Sequence, residues 1–392
     1  MEHLAKQIIL KPKEDRRILS GHQWAFSNEI REIKGSPVSG DIVELLSAGG
    51  KVLGVGYYHQ HSLIAVRLLS RSVETIDEDF FRHRFLQALD LRKKLFPQSE
   101  TFRLIHSESD FLPGLIVDKF NDYLSVQTFS FGMEVRIGMI CDVLESIFHP
   151  TGIVERNEST LRELEQLPQK KSVLRGTAAP TIFDDCGVRF EVNLLEGQKT
   201  GFFLDQRFNR YTIRSFSHDA EVLDCFTNDG GFALFAATHG AKRVVGIDSS
   251  PDAVIRATRN AALNQLHNVA FTQADVFEEL QRLASAGTAF DVVVLDPPSF
   301  TKSRKNVQAA KQGYKDLHSS AMRVLRPGGV LLTASCSHHI ESEVFLDIVA
   351  TTAQKAGRAV QLLDWRGASP DHPVLPAMPE TRYLKFAVVR VL

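Results

Sequence analysis

Glu221-Val222-Leu223-Asp224-Cys225-Phe226-Thr227-Asn228-Asp229-Gly230-Gly231-Phe232 opens the C-terminal part of the chain and sets its architecture. An apolar strand over 221–226 runs into a polar turn closed by paired glycines. From Ala220 onward this alternation repeats. Strands are expected at 221–226, 243–248, 269–272, 290–296, 329–334, 360–363 and 383–391, with helices such as 251–264 and 341–356 between them. The first five strands are nearly continuous apolar runs, as parallel strands covered on both faces require. Short right-handed crossovers then predict a doubly wound, Rossmann-like α/β sheet. A Pro-rich stretch over 369–379, rather than a helix, precedes the seventh strand, so that strand is expected to insert antiparallel.

The N-terminal part follows a different rhythm. Short β-rich runs at 7–10, 41–46, 52–57 and 63–69 are separated by Lys34-Gly35-Ser36-Pro37 and Ala48-Gly49-Gly50. Residues 19–26 read as a helical turn carrying the aromatic pair Trp24 and Phe26. A small β-barrel fits this spacing. Phe80, Phe81, Phe85, Leu89 and Leu95 recur at helical spacing over 77–95. A hairpin over 115–118 and 123–129, a helix over 132–148 and strands at 152–155 and 189–194 complete a small α+β unit. The expected division is three domains: 1–74, 75–194 and 195–392.

Composition bounds the functional classes. The 392 residues carry a net charge of −1, so an overall basic balance does not point to nucleic acid. Local excess does occur, at Lys11, Lys13, Arg16 and Arg17, at Arg92, Lys93 and Lys94, and at Lys302, Arg304, Lys305, Lys311 and Lys315. The stretch 301–315 has no acidic residue, and phosphate contacts need such local excess more than a basic pI. A solvated helix face explains the same run. No apolar run is long enough to cross a bilayer, and Met1-Glu2-His3-Leu4-Ala5-Lys6 lacks the apolar centre of a secretory signal. The cytoplasm is the expected compartment, with no membrane partner. The 4 cysteines, at 141, 186, 225 and 336, show no paired spacing, so neither a metal ribbon nor a disulfide framework is expected.

In an open α/β sheet, ligands bind beyond the carboxyl ends of the strands. After the first strand, Gly230 and Gly231 let the backbone turn sharply and approach a ligand. The third glycine of a dinucleotide fingerprint is missing, which favours a nucleotide-like ligand without a pyrophosphate; a purely structural turn explains the pair as well. The second strand ends in Asp248, placed to accept from ribose hydroxyls, and the third in Gln273-Ala274-Asp275, within reach of an adenine amino group. The fourth ends in Asp296-Pro297-Pro298-Ser299-Phe300. Two prolines fix that turn rigidly and hold Asp296 toward the cleft. Methyltransferases acting on amino groups or base rings seat the base on such an Asp-Pro-Pro-aromatic turn. The fifth strand runs into Ser335-Cys336-Ser337-His338-His339. A thiolate there can add to carbon 6 of a pyrimidine and activate carbon 5, although core packing is the plainer use of a strand-end cysteine. His338 and His339 could serve as a base or face RNA. Upstream, 196–207 combines glycines and polar residues around Phe202-Phe203-Leu204, which suits a loop that covers a ligand.

With these residues in place, the chain resembles the RlmI-type family of 23S ribosomal RNA cytosine-5 methyltransferases over essentially its full length. Trp24-Ala25-Phe26-Ser27 and the strands after it resemble that family's PUA domain. The segment Lys199-Thr200-Gly201-Phe202-Phe203-Leu204-Asp205-Gln206-Arg207 resembles its most specific signature. The resemblance implies S-adenosylmethionine as cofactor and ribosomal RNA as partner. It places Asp224, Asp248, Asp275 and Asp296 around the cofactor, with Cys225, Phe226, Asn228, Gly230 and Ser249 beside them. Lys199, Thr200, Gly201, Phe203, Gln206 and Arg207 would border the pocket, and Cys336 would attack carbon 6. Asp296 would also meet the base edge. Many RNA cytosine-5 enzymes carry a second cysteine after the two prolines; here Ser299 stands in its place. Transfer to an exocyclic base nitrogen, transfer to uridine carbon 5, and a non-catalytic role in ribosome assembly are the other readings. Oligomeric state stays open, with a homodimer among the possibilities.

Overall fold

The computed structural model describes residues 6–197, 200–301 and 304–392, and its N-terminal strands curl into one six-stranded sheet. The strands are β1 (Gln7–Leu10), β2 (Trp24–Phe26), β3 (Ile30–Lys34), β4 (Ile42–Leu46), β5 (Val52–Tyr58) and β6 (Ile64–Ser70). They lie in the order β2-β6-β5-β4-β1-β3. Register breaks at Ile9/Leu10, Ala25/Phe26, Leu45/Leu46 and Val55/Gly56 bend the sheet around Ile8, Leu10, Val43, Leu45, Val66 and Leu68. The turn expected over 19–26 resolves differently. A short helix ends at Leu19, and Trp24–Phe26 is a strand paired with β6, because the Trp24 ring N–H bonds Glu108 and Arg67 lies over its face. β3 has no counterpart in the sequence reading, since four of its five residues are exposed and carry no apolar alternation.

A five-stranded sheet follows, with β7 (Thr101–His106), β8 (Leu115–Phe120), β9 (Tyr123–Thr128), β10 (Gly152–Asn157) and β11 (Lys170–Gly176) in the order β11-β10-β9-β8-β7. Helices α1 (Glu78–Leu95) and α2 (Ile137–Phe148) pack on each other. Asp77 accepts from the Phe80 N–H and caps α1. The strand expected at 189–194 does not close this sheet. β13 (Val188–Val192) pairs with β12 (Thr181–Asp185) in a separate ribbon, and the sheet's outer places go to β7 and β11. Both are masked by charge. Arg103 in β7 binds the buried Asp118 carboxylate at 2.7 and 2.8 Å, and β11 shows the lysine-rich exposure usual in an edge strand. Charge also misleads at 92–94. Arg92 is fully buried on Asp110 and so faces no phosphate, while Lys93 pairs with Glu100 and Lys94 with Asp90 at the surface.

The C-terminal sheet has seven strands: β14 (Glu221–Cys225), β15 (Arg243–Asp248), β16 (Val269–Gln273), β17 (Phe290–Leu295), β18 (Leu325–Ser335), β19 (Val360–Arg366) and β20 (Lys385–Val391). Their order is β16-β15-β14-β17-β18-β20-β19. The first five are parallel, and β20 inserts antiparallel to both neighbours. β16 lies at the edge and is mostly exposed, so cover on both faces fails for that one strand. Leu223, Ile247, Val293, Leu295, Leu331 and Val389 form the core, each side chain adding roughly 1.5–3 kcal/mol of burial. Around the sheet run α3 (Arg207–Thr212), α4 (Gly231–Thr238), α5 (Pro251–Leu263), α6 (Val276–Ser285), α7 (Val307–Val324) and α8 (Ser342–Lys355). Ser250 caps α5 with Pro251 at its first position, the pairing that starts a helix most cleanly.

The chain divides into two compact units, one of 1–183 with 192–204 and 370–381, the other of 184–191 with 205–369 and 382–392. Among the described residues, no helix is long and apolar enough to cross a membrane.

Candidate active site

At the carboxyl end of β14 the backbone enters the left-handed region at Phe226 (φ 64°), Asn228 (φ 48°) and Gly230 (φ 84°). The turn returns the Ala233 N–H to Asp224, whose Oδ2 also accepts from Thr227 Oγ1, at 2.9 and 2.7 Å. Asp224 is 1% exposed, and its Oδ1 has no donor among the described residues. Burial pushes this carboxyl up to about 7; its two hydrogen bonds oppose the shift, and the charges of Asp296 and Asp248 add to it. Asp248 is half-buried and accepts from the N–H groups of Asn228 and Ser250, both at 2.9 Å. The Asn228 side chain is held between Asp229 and Arg256.

The glycine pair has a packing explanation that the sequence does not reveal. A Cβ on Gly231 would stand 2.7 Å from Arg210 Cδ, and one on Gly230 would press on Phe271, Leu234 and Ala257. Close approach to a ligand is therefore not needed to account for either glycine. Cys225 is wholly buried in the core beneath the sheet, where burial drives its thiol well above the ordinary range, so its side chain is not offered to a ligand. Ser249 is exposed and receives Gln273 on its carbonyl at 3.4 Å. Asp275 is exposed and caps α6, with Oδ1 accepting from the N–H groups of Phe277 and Glu278. Asp229, within the same turn, was given no role from sequence. It is buried against Arg256, and burial outweighs that partner and raises its carboxyl.

The signature segment divides by role. Gln206 donates from Nε2 to Asp296 Oδ2 at 3.0 Å, and Asn209 donates to Gln206 Oε1 at 2.7 Å. With its carbonyl so engaged, the Gln206 amide is fixed with its donor toward Asp296. Arg207 has the opposite fate. Both Arg207 and Arg210 bind the fully buried Asp185, and the two guanidiniums, Arg210 foremost, outweigh the burial that would raise its carboxyl. The Arg207 side chain is thus a structural clamp. Thr200, Gly201 and Phe203 belong to the first compact unit. There Thr200 donates to Asp118, Phe203 is half-buried, and a Cβ on Gly201 would meet Val192 at 2.8 Å. Lys199 and Lys302 lie outside the described residues.

At the end of β18, Ser335 and Ser337 are fully buried while Cys336 between them is partly exposed. Tyr314 on α7 donates its hydroxyl to Ser335 Oγ at 2.9 Å and meets Ser337 Oγ at 3.1 Å. Ser337 Oγ in turn lies 3.2 Å from Ser299 Oγ, so a chain of hydroxyls joins the Cys336 turn to the Asp-Pro-Pro turn. Burial pushes Tyr314 up to about 12, with the charges of Cys336 and Asp296 adding to the shift, which puts both within electrostatic range of one phenol. The Phe300 ring packs against Tyr314 at a tilt of 48°, with ring centroids 4.6 Å apart. His338 is exposed, with its ring 6.1 Å from Tyr383, and His339 is half-buried. Lys385 was not foreseen from sequence. Its Nζ donates to Ser337 O and Tyr383 O, both at 2.9 Å, and burial lowers it to about 8 while charge on Cys336 pulls it up.

Comparison with known proteins covers both units. Residues 177–380 match the model of an S-adenosylmethionine-dependent methyltransferase, and residues 8–71 match a PUA-like domain. Ribosomal RNA large subunit methyltransferase I of Aeromonas salmonicida is 39% identical over 390 residues, covering 98% of each chain. The protein of that name from Vibrio cholerae is 39% identical over 393 residues, covering 98% of this chain and 99% of its own. The chain belongs to the ribosomal RNA large subunit methyltransferase I family. The fold agrees. The crystal structure of SMU.776 complexed with SAH superposes with a TM-score of 0.84 at 20% identity, covering 98% of this chain and 99% of that one.

Membership brings S-adenosylmethionine as the cofactor, and the residues present suit it. A buried Asp224 oxygen with no donor among the described residues, on a carboxyl raised by burial and by the charges of Asp296 and Asp248, calls for a ligand bearing positive charge and donors. S-adenosylmethionine carries both, as a sulfonium and an α-ammonium. Replacing Gln206 with leucine removes one hydrogen bond that positions Asp296. Turnover should fall about 10- to 100-fold with cofactor affinity little changed, because misplacing a reacting contact costs rate first. Steady-state methyl transfer beside S-adenosylhomocysteine titration checks this; equal losses in both would reassign Gln206 to cofactor binding.

Proposed function

We propose that this methyltransferase modifies carbon 5 of a cytosine in large-subunit (23S) ribosomal RNA through a covalent adduct with Cys336. The observation that carries the reading is the accessible thiol at the end of β18, held between two buried serines and joined by hydroxyls to the Asp296 turn. The names of the relatives support the substrate class, and the PUA-like sheet supports RNA as the partner.

Bound S-adenosylmethionine supplies an electrophilic methyl group. Asp224 and Asp248 would hold its ammonium and ribose hydroxyls, with Asp275 and Ser249 at the adenine side. Carbon 5 of cytosine is too weak a nucleophile to take that methyl unaided. The Cys336 thiolate forms a bond to carbon 6, and the ring's C5–C6 π pair becomes available at carbon 5. Asp296, with one oxygen already on Gln206, offers its carboxyl to the base edge and supports a proton at nitrogen 3. After transfer, a base removes the carbon 5 proton, the pair re-forms the C5–C6 double bond, and the C6–S bond breaks to return the thiolate. Ser299 occupies the place of a second cysteine and is engaged with Thr301 O, so this last proton goes to another group or to water.

RNA containing 5-fluorocytidine tests the route. Fluorine at carbon 5 blocks the elimination, so a denaturation-resistant adduct should accumulate and map to the Cys336 peptide by mass spectrometry. Absence of adduct while ordinary RNA is still methylated would move the assignment to an exocyclic nitrogen. Mapping the methyl group lost from 23S RNA of a deletion strain identifies the nucleotide and separates cytosine from uridine.

A further inference from the structure

The antiparallel insertion of β20 has a chemical consequence. Parallel strands deliver only their carboxyl ends to the site, but β20 runs the other way and delivers its first residue. Lys385 therefore pairs in register with Ser335, one residue before Cys336. The strand it opens is apolar and buried through Phe386, Ala387, Val388 and Val389, with an exposed Arg390 only near its far end. A lysine 5% exposed at the head of such a strand needs a reason, because an ammonium in that position costs free energy unless it is used. Among the described residues, two of its three N–H groups go to the carbonyls of Ser337 and Tyr383.

We propose that Lys385 is the positioning residue of the nucleophile: its ammonium pins the backbone after Cys336 and supplies the positive charge beside which the sulfur is held as a thiolate. This rests on the reading of Cys336 as nucleophile and adds the group that activates it. Ionisable groups from several elements stand near the thiol. Lys385 comes from β20 and Tyr314 from α7; Asp296 shares the Tyr314 neighbourhood from the end of β17; His338 and Tyr383 stand at the rim. Tyr314 stays neutral, its phenol pushed up to about 12, and Asp296 works against a thiolate. Lys385, held at about 8, is mostly an ammonium at pH 7 and is the one buried cation in this set. Arginine would keep the charge but not the compact three-donor head that binds two carbonyls from inside a strand.

Alkylation of Cys336 reads this directly and without turnover. Cys141 and Cys225 are buried and Cys186 is exposed, so a Cys186→Ser background leaves Cys336 as the accessible thiol. In that protein, iodoacetamide should react at pH 7 at more than a tenth of its pH 9.5 rate, against ~3% for an isolated thiol. Lys385→Met should reduce the pH 7 rate roughly tenfold with a smaller change at pH 9.5, and Lys385→Arg should recover part of the loss. A pH profile in Lys385→Met that superposes on the parent, or a parent profile like that of an isolated thiol, overturns the inference. The second comparison needs no lysine variant and holds even if Lys385→Met fails to fold. Failure of the underlying reading looks different: the adduct with 5-fluorocytidine RNA would be missing whatever the alkylation profile.

Discussion

Replacing Cys336 with alanine should lower the rate of methyl transfer at least ~1000-fold, about 4 kcal/mol of transition-state stabilisation, while leaving the fold and cofactor affinity almost untouched. Both halves follow from position. The thiol is partly exposed, so truncating it removes little buried surface, and the hydroxyl chain through Ser335, Ser337 and Tyr314 does not use the sulfur. A loss below about 1 kcal/mol of stability is expected. The rate falls because carbon 5 can no longer be activated through carbon 6, and serine at 336 should do no better, since a neutral hydroxyl is a far weaker nucleophile than a thiolate. Labelled methyl transfer to RNA lacking the modification, beside a thermal melt and an S-adenosylhomocysteine titration, checks the three quantities together. Substantial methylation by the alanine variant would end the covalent route.

The elements legible in the sequence are those whose cause is local. Parallel strands announce themselves as apolar runs, and the Pro-rich stretch before the last strand announces its reversal. Asp296, Asp248 and Cys336 were singled out because ligands in this fold bind at the carboxyl ends of strands. Lys385 escaped for the opposite reason. It lies at the start of a strand, and only the antiparallel register opposite Ser335 brings it to the site. Non-local pairing also hid the clamp on Asp185, where sequence reading offered Arg207 to the cofactor and folding gives it to a buried carboxylate. Gly231 shows a subtler limit. Its sequence context suggests a ligand, but the atom that excludes a side chain there belongs to Arg210, twenty-one positions upstream. In the N-terminal unit, β7 and β11 were missed because charged residues broke the alternation. At Arg103 the charge is neutralised across the sheet by Asp118, and at Lys170 it pairs with Glu134 and Glu155. Burial on Asp110 likewise takes Arg92 out of the basic run at 92–94.

Asp224 predicts a trade between stability and function. Its carboxyl, ordinarily near 3.8, is raised to about 7 by burial, with Asp296 and Asp248 contributing. Between these values the native protein keeps a proton that the unfolded chain has released, so the native state binds more protons and stability falls as pH rises through that window. Above about pH 7 the penalty is complete, on the order of 4 kcal/mol for the cofactor-free protein. Asp224→Asn removes the ionisation while its carbonyl can still accept from Thr227 and Ala233. The variant should therefore melt several degrees above the parent at pH 8, and the gain should shrink toward zero near pH 4. Cofactor affinity should move the other way. An amide cannot neutralise the ammonium and sulfonium of the ligand, and a loss of at least about tenfold is expected, larger for S-adenosylmethionine than for the uncharged-sulfur product. Melts at the two pH values and calorimetric titrations with both ligands decide the matter. An asparagine variant with no pH-dependent gain would mean that Asp224 already has a compensating partner in the free protein. Unchanged affinity would mean that the cationic end of the cofactor binds elsewhere in the cleft.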